Sequence, residues 1–337
     1  MKFKKIFITG GAGYVGSCLV PELLSKGYEV TVYDIMYYTD NYLPKENPNL
    51  NIIKGDIRDK EKVEASCRDH DVFIHLACIS NDTSFALDEK LSTSINLNAF
   101  EPMIIAAKKS GVKRFIYASS SSVYGISDKK DVTEEHPLVP LTLYNKYKGI
   151  CEPLLLKHTD ENFEGVIFRP ATVCGFAPRQ RLDLSVNILT NFAVNKGMIK
   201  VFGGNQLRPN LHVLDYCDAV EVLIESESEK IKNQIFNIGY QNLSILEIAN
   251  LVKKVVEKEF PEKKEINIIK EKSDDNRSYH INSDKIKNFL NYSPKRSIEN
   301  AVQDLCKAFK KDLLKDSFDK DIYFNINRMK NIKAKWR

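Results

Sequence analysis

The chain contains 337 residues, of which 43% are hydrophobic and 28% are charged, a composition typical of a folded protein with a sizeable core. This length suits one large domain with a smaller one. The net charge of +5 comes mostly from dispersed lysines, and no nucleic-acid-binding motif accompanies it. No run approaches the roughly 18 apolar residues that span a bilayer. We therefore expect neither nucleic acid nor a membrane as a partner.

The seven cysteines are scattered, with no CxxC pair and no metal-like spacing to histidine. We predict free thiols in a reducing compartment and no metal site. The N-terminal apolar stretch is too short for a secretory signal, so the predicted location is the cytoplasm.

The first half of the chain alternates short strand-like runs with helix-length amphipathic segments. Strands are predicted at residues 5–9, 29–34, 51–54, 72–76 and 113–118, and helices at 14–26, 60–68 and 90–109. This alternation predicts an α/β fold with a doubly wound parallel sheet and helices on both faces.

After residue 170 the strand-like and helix-like segments no longer alternate regularly. A strand at 165–169 and some later segments are expected to return to the main sheet, and helices are predicted at 245–258 and 297–313. Gly203-Gly204 and Pro209 are interpreted as loop positions. We predict a first domain at 1–170, a smaller α/β substrate-binding lobe at 171–315, and a basic C-terminal tail at 316–337, which we expect to be a solvated helix with a frayed end.

A glycine-rich turn follows the first strand. Gly10, Gly13 and Gly16 lie in the run Thr-Gly-Gly-Ala-Gly-Tyr-Val-Gly, between a predicted strand and a predicted helix. Glycines at such points allow a tight turn and let the backbone approach a pyrophosphate, which the helix N-terminus attracts. The strand–turn–helix context makes a dinucleotide site more probable than a turn that only packs a helix.

Asp34 ends the second predicted strand, 18 residues after Gly16. A carboxylate there accepts hydrogen bonds from both ribose hydroxyls of adenosine and repels a 2′-phosphate. Because no arginine follows among residues 35–38, the sequence favours NAD over NADP. Asp56 and Ile57 follow the third strand, where an adenine contact and an ordinary helix N-cap are equally good interpretations.

Tyr144 and Lys148 are four residues apart in a predicted helix, which places them on one face. A tyrosine with a neighbouring ammonium can act as a base on an alcohol, and the lysine can also hold the nicotinamide ribose. The serine run Ser119 to Ser122 follows a predicted strand about two dozen residues earlier. A serine hydroxyl there can hydrogen-bond the oxygen that gains and loses charge.

With these landmarks in order over residues 5 to about 290, the chain resembles the extended short-chain dehydrogenase/reductase superfamily, in its nucleotide-sugar epimerase/dehydratase branch. The resemblance implies a Rossmann-type NAD-binding domain with catalytic Ser120, Tyr144 and Lys148. It implies cofactor contacts that are carried by the following residues: Gly10, Gly13, Tyr14, Val15, Gly16, Asp34, Asp56, Ile57, Leu76, Ala77, Asn96, Tyr144 and Lys148. It also implies a homodimer formed through the helices at about 90–109 and 143–158.

The same resemblance implies that Arg208 binds the nucleotide diphosphate of the substrate. Weaker substrate-binding candidates are Ser80, Thr83, Ser121, Thr172, Arg179, Asn187 and Arg277. Arg179, Arg181 and Arg277 are equally compatible with surface ion pairs. Asn187 is expected near the base pocket, and the polar residues 80–83 near the sugar hydroxyls.

Two positions depart from the family pattern. Ser121 and Ser122 occupy the place of the Asp-Glu pair that 4,6-dehydratases use to eliminate water, which argues against a dehydratase. Thr172 replaces an asparagine that commonly touches the sugar diphosphate.

The leading hypothesis is therefore an NAD-dependent nucleotide-sugar epimerase, acting at C4 through a transient 4-keto sugar in surface-polysaccharide or unusual-sugar biosynthesis. A 4-dehydrogenase or 4-ketoreductase on the same site is the alternative. A non-catalytic NAD-binding regulator would predict a damaged Ser/Tyr/Lys set, whereas all three residues are present.

Overall fold

The computed structural model describes residues 2–127, 129, 131–263, 265–272 and 278–334. Its strands, in chain order, are β1 (Lys5–Thr9), β2 (Glu29–Asp34), β3 (Leu50–Lys54), β4 (Val72–His75), β5 (Arg114–Ala118), β6 (Glu164–Pro170), β7 (Thr172–Cys174), β8 (Met198–Phe202), β9 (Leu207–His212), β10 (Ile235–Ile238), β11 (Gln241–Ser244) and β12 (Asn267–Glu271).

The α-helices are α1 (Gly16–Ser25), α2 (Lys60–Cys67), α3 (Asp82–Phe85), α4 (Glu89–Thr93), α5 (Phe100–Lys109), α6 (Leu143–Leu156), α7 (Ser185–Lys196), α8 (Val213–Glu225), α9 (Ser228–Ile231), α10 (Ile245–Glu259), α11 (Asp284–Leu290), α12 (Ile298–Lys310) and α13 (Asn325–Asn331). Short 3₁₀ segments lie at Ser121–Tyr124, Pro261–Lys263 and Asp321–Tyr323, and a π-helical turn at Ser94–Asn98.

Seven strands form one parallel sheet in the order β10-β6-β5-β4-β1-β2-β3. Strands β1, β4 and β5 are almost entirely buried because helices cover both faces of the sheet. This arrangement confirms the predicted Rossmann-type α/β fold. The strand order reverses beside β1, and such a switch point opens a crevice at the carboxyl ends of the strands.

Each face of the sheet carries its own hydrophobic core. One core includes Leu19 and Leu23 of α1 with Val220 and Leu223 of α8. The other includes residues of α2, α5 and α6 packed against Phe73 and its neighbours in the sheet. The two cores hold the sheet rigid, so the side chains at its carboxyl edge have fixed positions.

The second half of the chain builds a smaller lobe and also returns to the sheet. Helices α7, α10 and α12 pack together over the parallel pair β8–β12. A three-stranded sheet, β11-β9-β7, adjoins them. Strand β10 joins the main sheet beside β6, so the second half of the chain contributes to both the main sheet and the smaller lobe.

The interpretation of Pro209 as a loop residue is wrong, because Pro209 lies inside β9 and pairs with Asn242 of β11. Strand β7 pairs with β9 only from Asn210 onward, so β9 has a neighbour on one side only at the proline. A missing backbone N–H is tolerated at such an edge position.

The predicted helix at 90–109 is interrupted. Helix α4 leads into the π-helical turn Ser94–Asn98 before α5 continues. The turn places Asn96 so that its amide makes two hydrogen bonds of 2.9 Å with the backbone of Ile79. Such π-turns inside helices often occur beside functional sites.

The C-terminal stretch differs from the expected solvated helix with a frayed end. Leu314 and Tyr323 are buried in a cluster with Leu182 and Leu305, and Met329 of α13 is buried against the core beside the sheet. Residues up to Ala334 therefore fold back onto the protein. Within the described part of the chain, no helix has the length and apolarity needed to cross a bilayer.

Candidate active site

A cavity of about 910 Å³ opens at the carboxyl edge of the main sheet. Its walls come from the segments that follow β1, β2, β3, β4, β5 and β6, together with residues of the smaller lobe. The volume is that of a site for a large ligand or two adjacent ones. Its place at the strand-order reversal is where open α/β sheets bind ligands.

The glycine-rich turn forms one wall of this cavity. Gly10 has φ +77°, and a Cβ there would lie 2.6 Å from the backbone nitrogen of Ala77. A Cβ on Gly16 would collide with the backbone of Gly11. Gly13, Tyr14 and Val15 line the cavity as the chain enters α1. The turn thus leaves open a cradle, at a helix N-terminus, that a phosphate group fits.

Asp34 lines the cavity at the end of β2. Its carboxylate accepts hydrogen bonds from the backbone N–H groups of Ala12 (3.1 Å) and Met36 (2.8 Å), which fix its direction. Burial raises the pKa of Asp34, and these two N–H groups and the Arg179 charge oppose that rise. A carboxylate fixed in this way suits the ribose hydroxyls of adenosine.

Asp56, Ile57, Leu76 and Ala77 also line the cavity. The N-cap interpretation of Asp56 is wrong, because Asp59 caps α2 by accepting a hydrogen bond from the backbone N–H of Lys62. The Asp56 carboxylate instead accepts hydrogen bonds from the Arg58 side chain.

The serines of the run Ser119 to Ser122 have different roles. Ser119 donates a hydrogen bond of 2.6 Å to Glu152, which forms a fully buried ion pair with Arg169. Ser119 is therefore committed to joining β5 to α6 and β6. Ser120 is different: its hydroxyl lies 2.7 Å from that of Ser122, and both line the cavity.

Ser122 extends this pair into a short chain of hydrogen bonds, because its hydroxyl donates to Asn145 at 2.5 Å. Asn145 lies in the first turn of α6, next to Tyr144. The Ser120 hydroxyl is thereby tied to the helix that carries the tyrosine and the lysine. Ser121 also lies in the cavity wall.

Helix α6 brings Tyr144 and Lys148 into the cavity wall one turn apart. Thr142 caps this helix by accepting from the backbone N–H of Asn145 (3.3 Å). The Lys148 ammonium donates to the carbonyl of Ala118 at the end of β5 (2.7 Å). Burial raises the pKa of Tyr144 well above its usual value, and the positive charge of Arg181 opposes that rise.

A network of polar side chains forms another part of the cavity wall. Arg181 forms a two-point ion pair with Asp183 (2.9 and 3.1 Å) and donates to the Ser80 hydroxyl (3.2 Å). Asn325 donates to the same Ser80 hydroxyl (3.0 Å). The Asn325 backbone N–H donates to Asp183 (3.1 Å). The segment that carries Ser80, the segment after β7 and the C-terminal helix α13 therefore meet in the same wall.

Arg179 and Arg181 are both buried, at 2% and 8% exposure, so the alternative of surface ion pairs is wrong for both. Arg179 lies against the ring of Tyr38, 3.8 Å from its centroid, and its Nη2 donates to Asn325 (2.7 Å). Arg208 lies elsewhere in the wall, on β9, and Thr172 begins the neighbouring strand β7.

Three of the described site residues that the sequence predicted lie outside the cavity wall. Asn187 is fully buried, with hydrogen bonds to Gly175, Arg181 and Tyr14, and so supports the wall from behind. Thr83 is exposed and hydrogen-bonds Asn81. Asn96 supports the backbone of Ile79, as described above. Arg277 lies outside the described residues.

Sequence analysis missed several cavity-lining residues, notably Tyr38, Asp183, Tyr216 and Asn325. Asp183 stands in the run Arg-Leu-Asp after Gln180, where an acid two positions from an arginine is a usable signal. Asn325 has no local signal, because it reaches the site only through the folding back of the C-terminal segment.

Comparisons with known proteins agree with this geometry. A sequence model of the NAD dependent epimerase/dehydratase family matches residues 6–239. Low-salt glycan biosynthesis protein Agl12 of Haloferax volcanii is 29% identical over 88% of this chain and 96% of its own length. A dTDP-glucose 4,6-dehydratase of Actinoplanes sp. is 25% identical over 86% and 93%.

A solved structure shows the same architecture. UDP-glucose 4-epimerase of Thermotoga maritima, determined with UDP-glucose, superposes with a TM-score of 0.81 at 25% identity, covering 92% of this chain and 99% of that one. The fold and site define a dinucleotide-dependent enzyme of the short-chain dehydrogenase/reductase type. The chain belongs to the NAD dependent epimerase/dehydratase family.

The residues of the site fit NAD, the cofactor of this family. The cradle around Gly10 to Gly16 and the fixed carboxylate of Asp34 suit its diphosphate and its adenosine ribose. The protein is thus an NAD-dependent enzyme of the nucleotide-sugar epimerase/dehydratase type.

Proposed function

We propose that the protein is a nucleotide-sugar 4-epimerase. The observation that carries this proposal is the joint presence in one cavity wall of Ser120, Tyr144 and Lys148, with serines instead of carboxylates at 121 and 122. The UDP-glucose 4-epimerase that shares the fold supports the same chemistry.

In this proposal Tyr144 removes the proton from the sugar 4-hydroxyl, and Ser120 hydrogen-bonds the same oxygen as it becomes a carbonyl. Lys148 lies one turn further along α6 in the same cavity wall, where its positive charge would favour the phenolate. NAD, which the glycine-rich turn and Asp34 would hold, would supply the hydride chemistry at C4, and re-reduction on the opposite face of the keto sugar would invert that carbon. Tyr144 then gives its proton back to the new alkoxide.

Two carboxylates of the cavity wall already have polar partners, which disfavours dehydration. Asp183 is paired with Arg181, and Asp82 accepts a hydrogen bond from Thr142 (2.6 Å). Elimination of water needs an acid and a base near C5 and C6, and Ser121 and Ser122 supply neither.

The test is incubation of the purified protein with UDP-, dTDP-, GDP- and CDP-linked hexoses, followed by mass spectrometry of sugar and cofactor. An epimerase gives an isomer of unchanged mass while NAD stays oxidised. A product two mass units lighter or heavier, with matching conversion of the cofactor, would instead make the protein a 4-dehydrogenase or 4-ketoreductase. Loss of 18 mass units would make it a dehydratase.

Replacing Tyr144 by phenylalanine is expected to lower kcat by about 10²- to 10⁴-fold, because the general base is removed. NAD should remain bound, since the glycine turn and Asp34 are untouched. Tyr147→Phe is the matched control: Tyr147 lies in the same helix, outside the cavity wall, with its ring against Phe85. Comparable turnover by the Tyr144→Phe variant would rule out this mechanism.

We also propose that the enzyme is a homodimer that serves surface-polysaccharide or unusual-sugar biosynthesis. The glycan biosynthesis protein from Haloferax supports the pathway assignment. Ile105 of α5 is 50% exposed and Ile150 of α6 is 38% exposed, and such apolar side chains on adjacent helices support a subunit contact there.

A further inference from the structure

Arg179 is a buried guanidinium in the cavity wall. Its exposure is 2%, its Nη2 donates to the amide oxygen of Asn325, and its Nε has no hydrogen-bond partner among the described residues. Within the same residues, no carboxylate forms an ion pair with it. Asp34 and Asp183 act on Arg179 only through space. Because a buried guanidinium with an unpaired donor is costly, this arrangement points to an anion supplied by a ligand.

The place of Arg179 indicates which anion it meets. Its backbone N–H donates to the Ser17 hydroxyl in the first turn of α1 (3.1 Å), and Tyr14 donates to the carbonyl of Gly175 (2.6 Å). The segment 175–179 therefore packs on the helix that begins at the glycine-rich turn. Arg179 then extends to the ring of Tyr38, beyond Asp34.

The cavity wall thus contains two positive features on connected segments: the N-terminus of α1 and the guanidinium of Arg179. Helix N-termini attract phosphate, and guanidinium groups bind phosphate oxygens in a two-point manner. Burial lowers the pKa of Arg179 to about 10, so the side chain stays charged at neutral pH.

We propose that Arg179 binds the diphosphate of NAD together with the glycine-rich turn, and that Asn325 holds the guanidinium in position. Arg179 is then a cofactor-binding residue and not a contact to the sugar nucleotide. Asn325 is a positioning residue, which acts through Arg179.

The C-terminal segment becomes part of the cofactor site through this contact. Arg328 of α13 donates to the carbonyl of Tyr37 (2.7 Å), next to Tyr38, and Leu182 donates its N–H to the carbonyl of Tyr323 (2.9 Å). The stretch 323–328 thus holds both the loop after Asp34 and the segment that carries Arg179. It lies beyond residue 239, where the family match ends.

The experiment measures the binding of ADP and of adenosine to protein freed of NAD, with Arg179→Gln beside the wild type. ADP carries the diphosphate and adenosine does not. Arg179→Gln is expected to weaken ADP about tenfold or more and adenosine by less than about twofold, because a hydrogen bond to a charged group is lost only with ADP. Arg68→Gln, which removes an exposed arginine, is the control and should change neither affinity.

Bound ADP should be displaced by NAD and not by UDP, which places it in the cofactor site. Equal losses for ADP and adenosine in a folded variant would overturn the proposal, and so would an unchanged ADP affinity. A selective loss of UDP binding would assign Arg179 to the sugar nucleotide. If Arg179→Gln shows no cooperative thermal transition, Arg179→Lys takes its place and the ratio of the two affinities decides.

Asn325→Ala tests the positioning role. It should weaken ADP several-fold in the wild-type background and have no further effect in the Arg179→Gln background, because the two residues then act as one unit. An equal loss in both backgrounds would show that Asn325 acts independently of Arg179. This result does not depend on which sugar the enzyme converts.

Discussion

At the scale of single residues, the charge of Arg181 tunes the base. Burial raises the pKa of Tyr144 and Arg181 opposes the rise, so removing Arg181 should raise that pKa further. The base works deprotonated, and activity is lost as the pH falls below its pKa. In the double variant Arg181→Gln/Asp183→Asn, which avoids an unpaired buried charge, the acidic limb of the kcat/KM profile should move to higher pH, because the charge that opposes the raised pKa of Tyr144 is removed.

The profile of Arg68→Gln should match that of the wild type, since Arg68 is exposed and remote from the cavity wall. An unchanged or lower midpoint in the double variant would show that Tyr144 does not limit activity on the acidic side. The same profiles recorded with Tyr147→Phe check that the limb belongs to Tyr144.

Residues in local motifs were predictable from sequence, and residues that meet only in three dimensions were not. Motifs in their sequence context, together with the family resemblance, pointed to Gly10, Asp34 and Tyr144, and the structure brings all three into one cavity wall. Asn325 and Ser80 are 245 positions apart, so no pattern links them. Asn187 lies in a helix near the site, but its amide satisfies buried backbone groups, which a sequence does not reveal.

At the scale of elements, the turn between β1 and α1 depends on close approach as well as on backbone freedom. Gly10 and Gly27 both have positive φ, but a Cβ on Gly10 meets Ala77 at 2.6 Å, whereas one on Gly27 meets nothing within 4 Å. Gly27→Ala should cost about 1–2 kcal/mol of stability from the backbone conformation alone. Gly10→Ala should cost more and also lower NAD content.

Thermal unfolding and the NAD content of the purified variants measure these two effects separately. Gly27→Ala is the matched control, because it has the same backbone strain without the collision. Full NAD content in Gly10→Ala would mean that the turn adapts, and that the close contact with Ala77 does not shape the cofactor cradle.

The parallel sheet was predictable because each of its central strands is a short apolar run between turn signals. The strands of the smaller lobe gave weaker patterns: β7 has three residues, and β9 contains a proline that sequence rules assign to loops. The π-helical turn before α5 could not be predicted for another reason: its residues fit the period of an ordinary α-helix. Only the structure shows that this turn brings the Asn96 amide to the backbone of Ile79.

At the scale of the whole molecule, the prediction of a solvated C-terminal region from its charge is wrong. Its lysines suggested a solvated end, but Leu314, Tyr323 and Met329 are buried and anchor the segment to two different cores. Three widely spaced apolar residues among many charged ones give a weak sequence signal. Their role is visible only in the folded structure, where the C-terminal segment completes the cavity wall.

Assembly provides the last prediction at this scale. If α5 and α6 form the dimer contact, Ile105→Glu places a charge in an apolar interface and should convert the dimer to a monomer. Light scattering after size exclusion, over a range of protein concentrations, measures the mass directly. Ile269→Glu is the control, because Ile269 is also exposed, at 41%, but lies on β12 in the smaller lobe. A monomeric wild type would show that the proposed dimer does not form. A dimer that survives Ile105→Glu and breaks with Ile269→Glu would show that the subunits meet at the smaller lobe instead.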